Sequence, residues 1–225
     1  MILRFLKLVF ILISVFVLQS CLTNKKITQL IERKVGSEVR VQKTVNTNAL
    51  LLNTDSLPKM DAVAVVKKGK SFVIPAIFFW MWNKDTSCEI NTMYFSNLFA
   101  GILIEKANEF KLEKHLGNKK IEISLVKVPA RFTYANSGTV IYGLVFYTYN
   151  FSETIRIDDQ EFVFAYRITQ EGTEIKADRY TYSFDTAYRD FSLRSEKFIE
   201  KYLDQMKLDF EKKSSDFIEQ IIEEL

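Results

Sequence analysis

Glycine and proline are scarce in this chain, with 7 and 3 residues among 225. Disordered and low-complexity segments are usually rich in these residues and poor in apolar ones, whereas 48% of this sequence is hydrophobic. We also find no internal repeat. The sequence therefore excludes a linker-rich or repetitive protein and predicts a chain that folds around an apolar core.

Histidine is scarcer still, with one residue. His115 has no histidine, cysteine or carboxylate at metal-ligand spacing, and a single histidine does not hold zinc by itself. A hydrolase that uses His115 stays open, because catalytic triads form in space, but the chain has no Gly-x-Ser-x-Gly motif. We therefore expect no cofactor and regard the protein as non-enzymatic.

The chain also lacks a large excess of charge, since 31 basic residues oppose 28 acidic ones. Nucleic-acid-binding proteins concentrate positive charge on one face, and Lys67-Lys68-Gly69-Lys70 is too short a run for that. We therefore expect no nucleic-acid partner.

The N-terminus begins with the positive residues Arg4 and Lys7 and continues as an apolar run from Leu8 to Leu18. This order is typical of a secretory signal peptide. The run is shorter than the roughly 20 apolar residues that a membrane-spanning helix needs. Secretion followed by cleavage is the favoured interpretation, and an uncleaved anchor is the alternative.

The sequence Leu18-Gln19-Ser20-Cys21 resembles the lipobox of bacterial lipoproteins. The resemblance implies that residues 1–20 are removed and that Cys21 carries fatty acyl chains such as palmitate, which attach the protein to a membrane. Leu22 occupies the position where some Gram-negative bacteria use aspartate for inner-membrane retention. The resemblance therefore implies an outer-membrane anchor, with the protein facing the periplasm. Cys88 would then be the one free thiol, and no intrachain disulfide is expected.

Removal of residues 1–20 leaves about 205 residues, a length typical of one domain. We expect residues 21–37 to form the acylated tether, partly as a short amphipathic helix, and residues 38–225 to form a single α+β domain. Apolar spacing predicts one mid-chain helix from about residue 92 to His115 and one long C-terminal helix from about Ser192 to Leu225.

Alternating apolar residues predict an antiparallel or mixed sheet, with both helices against one of its faces. Two strands are expected around a turn at Lys67-Lys68-Gly69-Lys70, and four more follow between residues 119 and 185. The turns among these four are predicted at Ala135-Asn136-Ser137-Gly138, Asp158-Asp159 and Glu171-Gly172.

The segment from Phe72 to Trp82 contains no charged residue. A strand that is apolar on both faces is usually covered on both sides, so we expect it in the interior. Its aromatic residues and those near residue 147 nevertheless form a candidate hydrophobic surface, with three interpretations open: core, cavity for a hydrophobic ligand, or docking face. The candidate residues are Phe78, Trp80, Trp82, Tyr147 and Tyr149.

The predicted C-terminal helix would be about 50 Å long, whereas a globule of this size is only about 43 Å across. We therefore expect the helix either to break near Ser214 or to project its last turns. In the second case Phe217, Ile221 and Leu225 are the candidate docking residues.

The element order over residues 60–225 loosely resembles two kinds of protein, without a shared motif. They are the auxiliary lipoproteins of envelope ABC transporters and the lipoprotein that assists lipopolysaccharide assembly. The resemblance implies an accessory subunit of an envelope transport or assembly complex, with a membrane-protein partner. The alternative function is a lipid-binding module.

Overall fold

The computed structural model describes residues 23–40, 43, 45–47, 49–143, 146–184, 187–190 and 195–224, the backbone alone for 187–190. The predicted signal peptide, the predicted lipidation site Cys21 and the candidate docking residue Leu225 lie outside these residues. Within them, no helix is both long and apolar enough to cross a membrane.

The described part of the chain contains four helices and nine strands. The helices are α1 (Asn24–Val39), α2 (Thr92–Glu109), α3 (Leu112–Leu116) and α4 (Ser195–Glu223). The strands are β1 (Leu50–Asn53), β2 (Ala64–Pro75), β3 (Phe79–Ile90), β4 (Lys119–Lys127), β5 (Arg131–Tyr142), β6 (Tyr147–Ile157), β7 (Glu161–Gln170), β8 (Thr173–Ser183) and β9 (Ala187–Asp190).

The strands form two sheets where the sequence predicted one. The mixed sheet has the order β1-β4-β7-β8, with β1 parallel to β4, and the antiparallel sheet has the order β2-β3-β5-β6-β9. Mixed and antiparallel sheets together with a mid-chain and a long C-terminal helix confirm the predicted α+β class.

Helix α4 joins the two sheets into one core. Near its beginning, the ring of Tyr202 lies 4.8 Å from that of Phe132 on β5. Farther along, Phe210 and Phe217 lie 4.5 and 3.7 Å from Phe162 and Phe164 on β7. These side chains are buried, and each contributes about 1.5–3 kcal/mol relative to an exposed position.

Helix α4 is continuous and does not project. Ser214 is fully buried inside it, and Phe217 and Ile221 near its end are buried as well. Its 29 residues span about 43 Å, which matches the width of the domain. The expected break or projection is wrong, because the apolar stripe of the helix packs against both sheets along its length.

Helix α1 belongs to the packed core, although residues 21–37 were expected to form a tether. The hydroxyl of Thr23 caps the helix by accepting the N–H of Lys26 at 3.3 Å. Ile27, Ile31 and Val35 are fully buried. The amphipathic pattern of this segment therefore serves packing.

The mid-chain helix begins at Thr92, as predicted, with Asn91 accepting the N–H of Met93. It is interrupted at Lys111, whose φ of 50° is left-handed, and the short α3 follows. Gly117 ends α3 with a φ of 61°, a conformation that favours glycine.

Two segments predicted as turns lie inside strands. Gly69 of β2 lies where the pairing with β3 shifts between Lys68 and Ser71, and a Cβ at Gly69 would lie 3.0 Å from the Cβ of Asp85. Gly138 of β5 lies opposite Trp82, and a Cβ there would lie 2.2 Å from its ring. Both glycines permit close packing of a neighbour instead of a chain reversal.

Candidate functional site

Four strands of the antiparallel sheet continue well beyond the helices. Helix α4 begins where the hydroxyl of Ser195 donates a hydrogen bond to Glu153. The strand register places Ser71, Lys84, Asn136 and Glu153 in one cross-strand row, which we call the base row. The blade is the part of β2, β3, β5 and β6 beyond this row, with their connections: residues 72–83, 137–143 and 146–152. The rest of the domain is the body.

The blade is uncharged and apolar, and it is open to solvent. None of its described residues is acidic or basic. Ile77 is 87% exposed, and Phe78 and Tyr147 are about two-thirds exposed. Eleven of the fifteen large apolar side chains that are exposed in the described part of the chain lie in the blade. These are Phe72, Val73, Ile74, Ile77, Phe78, Phe79, Ile141, Tyr142, Phe146, Tyr147 and Tyr149.

The expectation that the strand through Phe72–Trp82 lies in the interior is therefore wrong. A strand apolar on both faces is normally covered on both, but here Phe72, Val73 and Ile74 are exposed, so no described element covers both faces of this segment. Phe78, Tyr147 and Tyr149 are exposed, so the core interpretation is excluded for these three residues. A ligand cavity and a docking face remain as interpretations of the candidate surface.

The five predicted surface residues come together in the blade. Trp80 pairs across β3 and β5 with Val140, which pairs in turn with Tyr149, so these three side chains lie on one face. The rings of Tyr147 and Tyr149 stack at 6.2 Å. The N–H of Tyr142 donates to the carbonyl of Phe78 at 2.7 Å, which places the ends of the two hairpins side by side.

Trp82 fixes the orientation of this aromatic face at its lower end. Its indole N–H donates to the Oδ1 of Asn136 at 2.7 Å, and its ring lies directly over Gly138. We call the surface formed by Trp80, Trp82, Val140, Tyr149 and Phe151 the aromatic face. The remaining predicted residues, Phe78 and Tyr147, lie at the blade's end, which with Ile77 and Phe146 we call the tips.

The opposite face of the blade is more polar. An open depression of about 410 Å³ is lined mainly by residues of this face, and Trp82 and Phe151 of the aromatic face also border it. The lining residues of the opposite face are Phe72, Met81, Asn83, Ser137, Thr139, Asn150 and Ser152. Because this depression is open and partly polar, it suits an enclosed lipid or other hydrophobic ligand poorly.

A buried carboxylate connects the blade to the body. Glu153 is buried in the base row and accepts hydrogen bonds from the Tyr134 hydroxyl at 2.7 Å, from Asn136 at 3.0 Å and from Ser195. Burial, together with the Glu153 carboxylate, raises the pKa of Tyr134, so its hydroxyl remains protonated and able to donate. This network orders the start of α4 against the base of the blade.

The other predicted candidates lie apart from the blade. Phe217 and Ile221 are in the core, so the expectation that they dock a partner is corrected. His115 is exposed on α3. Cys88 is buried, and burial raises the pKa of its thiol to about 12, which keeps it neutral. In the residues that the structure describes, no group of three or more histidine, cysteine or acidic residues is placed to hold a metal ion.

Sequence reasoning did not single out the exposed aliphatic residues of the blade, such as Val73 and Ile74 on β2 and Ile77 at the first tip. One signal was available. The segments 71–83 and 137–152 each lack any charged residue, and both are long for a half-exposed hairpin in a soluble domain.

Comparisons of the chain with protein-family models, with curated proteins and with solved structures found no match. The function is therefore inferred from the geometry of the blade.

Proposed function

We propose that this chain is a lipoprotein of the bacterial cell envelope, anchored in the outer membrane through Cys21 and facing the periplasm. It acts without catalysis, as an accessory subunit of a transport or assembly complex. The observation that carries the proposal is the blade, an uncharged extension whose apolar side chains are exposed on both faces.

A surface of this kind favours a partner. Burying apolar surface gains about 25 cal/mol per Å², and exposed apolar patches larger than a few hundred Å² usually mark interaction sites. Tryptophan and tyrosine are enriched among the residues that dominate binding energy. Trp80, Trp82 and Tyr149 on the aromatic face meet this description, and a membrane protein with an apolar flank is the matching partner.

The strand edges support docking as well. β9 pairs with β6 over Glu153–Arg156, and no described strand pairs with the outer edge of β6 along the blade. The outer edge of β2 is open likewise in the sheet order of the described strands. Open edges bind an added strand through backbone hydrogen bonds. A partner can therefore contact both the aromatic face and an edge.

Site-specific photo-crosslinking in native envelopes tests this proposal. The acylated, full-length protein carries a photoreactive phenylalanine analogue at Tyr149 on the aromatic face or, as the matched control, at the exposed Leu208 on α4. We expect an adduct with one integral membrane protein from position 149 alone. Equal adducts from both positions, or none from position 149, would contradict the docking role of the aromatic face.

The anchor is tested separately with Cys21→Ala. Loss of the acylated thiol should release the protein from the membrane fraction into the soluble periplasmic fraction and abolish labelling by radioactive palmitate. A Cys88→Ala control should change neither. A membrane-bound Cys21→Ala protein with unchanged labelling would refute the lipid anchor.

A further inference from the structure

Helix α1 runs in the same direction as α4, away from the blade. Arg33 pairs with Glu200 at 2.5 Å, and Lys34 with Asp204 at 3.0 Å. Gly36 lies next to Val63, which precedes β2 at the end of the strand farthest from the blade. The later residues of α1 therefore lie deep in the body, and its first residues point towards the blade.

The surroundings of Tyr94 agree with this direction. Burial, and then the carboxylates of Glu211, Glu38 and Asp204, raise the pKa of the Tyr94 hydroxyl. Glu38, near the end of α1, thus acts on the same hydroxyl as Asp204 and Glu211, which both lie farther along α4 than Glu200.

The beginning of α1 lies near the base row, about 6 Å farther towards the blade than the beginning of α4. Asn24 precedes Arg33 by nine residues, or about 14 Å of helix, whereas Ser195 precedes Glu200 by five, or about 8 Å. Ser195 itself contacts the base row through Glu153. Cys21 is three residues before Asn24, and three residues reach at most about 11 Å. The proposed anchor therefore leaves the domain at the end from which the blade extends.

Five exposed lysines lie at this end of the domain, on α1 and β2. Lys25 and Lys26 lie in the first turn of α1, and Lys67, Lys68 and Lys70 lie on β2 just before the blade. The acidic residues nearby offset them only in part. Asp85 pairs with Arg156 at 3.8 Å, Glu153 is buried, and Glu196 is exposed at the start of α4. These lysines lie next to an uncharged apolar extension. This order matches that of a membrane surface, where an anionic headgroup layer lies next to hydrocarbon.

We infer that the tips of the blade enter the lipid surface of the same membrane that holds the anchor. The inference rests on the proposed function for the anchor at Cys21. The tips contact lipid, and the aromatic face binds the protein partner. Ile77 and Phe78 on one tip, and Phe146 and Tyr147 on the other, are apolar and aromatic residues of the kind that sit at membrane interfaces.

The strand edges limit how deeply the blade enters. It extends about 20 Å beyond the base row, since six residues of β2 and its turn separate Ser71 from Ile77. No described strand pairs with its outer edges, and an unpaired edge presents backbone N–H and C=O groups, which hydrocarbon disfavours strongly. The tips therefore enter by only about 5–10 Å, the depth of interfacial segments.

The two tryptophans of the chain, Trp80 and Trp82, both lie in the blade, so intrinsic fluorescence reports its environment directly. The acylated, full-length protein is reconstituted in vesicles of phosphatidylethanolamine and phosphatidylglycerol that contain brominated lipid, which quenches nearby tryptophan. We expect quenching, and stronger quenching by bromines near the headgroup than by bromines near the chain ends.

The variant Ile77→Glu/Phe78→Glu places two charges at one tip. Because a charged side chain is expelled from the membrane interior, we expect it to reduce quenching at least about tenfold. Leu208→Glu replaces an exposed apolar residue of the body, and it should leave quenching unchanged. Unchanged far-UV circular dichroism in both variants excludes misfolding. Quenching that the tip charges do not reduce would overturn the inference.

The two proposals fail in different ways. No quenching in vesicles, combined with a specific protein adduct from position 149 in native envelopes, overturns the lipid contact and leaves the accessory-subunit proposal standing. No quenching and no adduct overturn both. Quenching lost on tip substitution supports the lipid contact whether or not a protein adduct forms.

Discussion

Four strands, β2, β3, β5 and β6, run through both the body and the blade, yet they bury their side chains differently in the two regions. On β3, Cys88 and Ile90 are fully buried in the body, whereas Phe79 at the other end of the strand is exposed. Both halves are rich in apolar residues. The two halves differ in whether a helix packs against them. Helix α4 begins at the base row and runs away from the blade, so it covers the body alone.

This comparison shows that strand composition does not determine burial. A helix covers only the length of sheet along which it runs, and the 29 residues of α4 are all used on the body. The blade keeps its shape through the backbone ladder and cross-strand contacts such as that between Trp82 and Asn136. We therefore expect the body to supply nearly all of the global stability.

The largest expected difference is between a phenylalanine of each region. Phe164→Ala in the body leaves a cavity among the rings of Phe99, Phe162 and Phe217, and should lower the free energy of unfolding by about 3–5 kcal/mol. Phe78→Ala in the blade should change it by less than about 0.5 kcal/mol. Urea unfolding followed by far-UV circular dichroism measures both. Equal losses would mean that the blade is part of the cooperative core.

Thiol reactivity should separate the two regions almost as strongly. Cys88 is buried with a thiol pKa of about 12, so it should react only after unfolding. In a Cys21→Ala background, a Ser71→Cys substitution at the edge of the blade places an exposed thiol on the neighbouring strand. We expect Ser71→Cys to be labelled by a disulfide reagent at least about a thousandfold faster than Cys88, in line with a marginal unfolding free energy. Similar rates would show that β3 opens readily within the body.

The sequence predicted several individual elements of the body, although not its two sheets or the packed position of α1. The apolar stripe of α4, the capped start of α2 at Asn91 and the alternation of Phe162, Phe164 and Tyr166 all reflect packing that is local to one element. Periodicity records which face of an element is buried, and in the body that face is covered.

The blade was not predictable in the same way. Gly69, just before the blade, and Gly138, within it, resemble turn residues in the sequence, but Gly69 lies at a strand irregularity and Gly138 lies under the ring of Trp82. Both are close contacts between residues far apart in the chain, which a local pattern does not reveal. The turns predicted at these glycines divided each of two long strands into shorter ones. The extension of the strands past the helices was therefore not predicted.

Gly138 provides a more local test of the blade. A side chain at this position would collide with Trp82, so Gly138→Val should destabilise the protein by about 1–3 kcal/mol. In a Trp82→Ala background the collision is absent, and the same substitution should cost much less. A double-mutant cycle, with amide hydrogen exchange of the blade as a second readout, measures the coupling. Additive effects would show that the ring does not require glycine at this position.

The smallest expected effect is a dependence on pH that distinguishes the regions. Lys176 and then Tyr166 hold the pKa of Glu224 below its ordinary value, with contacts of 2.7 Å each. Lys106 does the same for Glu219. A lowered pKa in the folded state stabilises the protein above the ordinary pKa, and this contribution is lost as the pH falls through the folded value.

Because solvent screens these partly exposed pairs, each contributes little to stability. The urea midpoint of the body, measured by circular dichroism, should therefore fall slightly as the pH drops below about 4.5, and Glu224→Gln should reduce that fall. The blade contains no carboxylate among its described residues, so its own transition, measured by tryptophan fluorescence, should shift less. Equal shifts for both probes would mean that blade and body unfold together, and that the base row transmits the stability of one to the other.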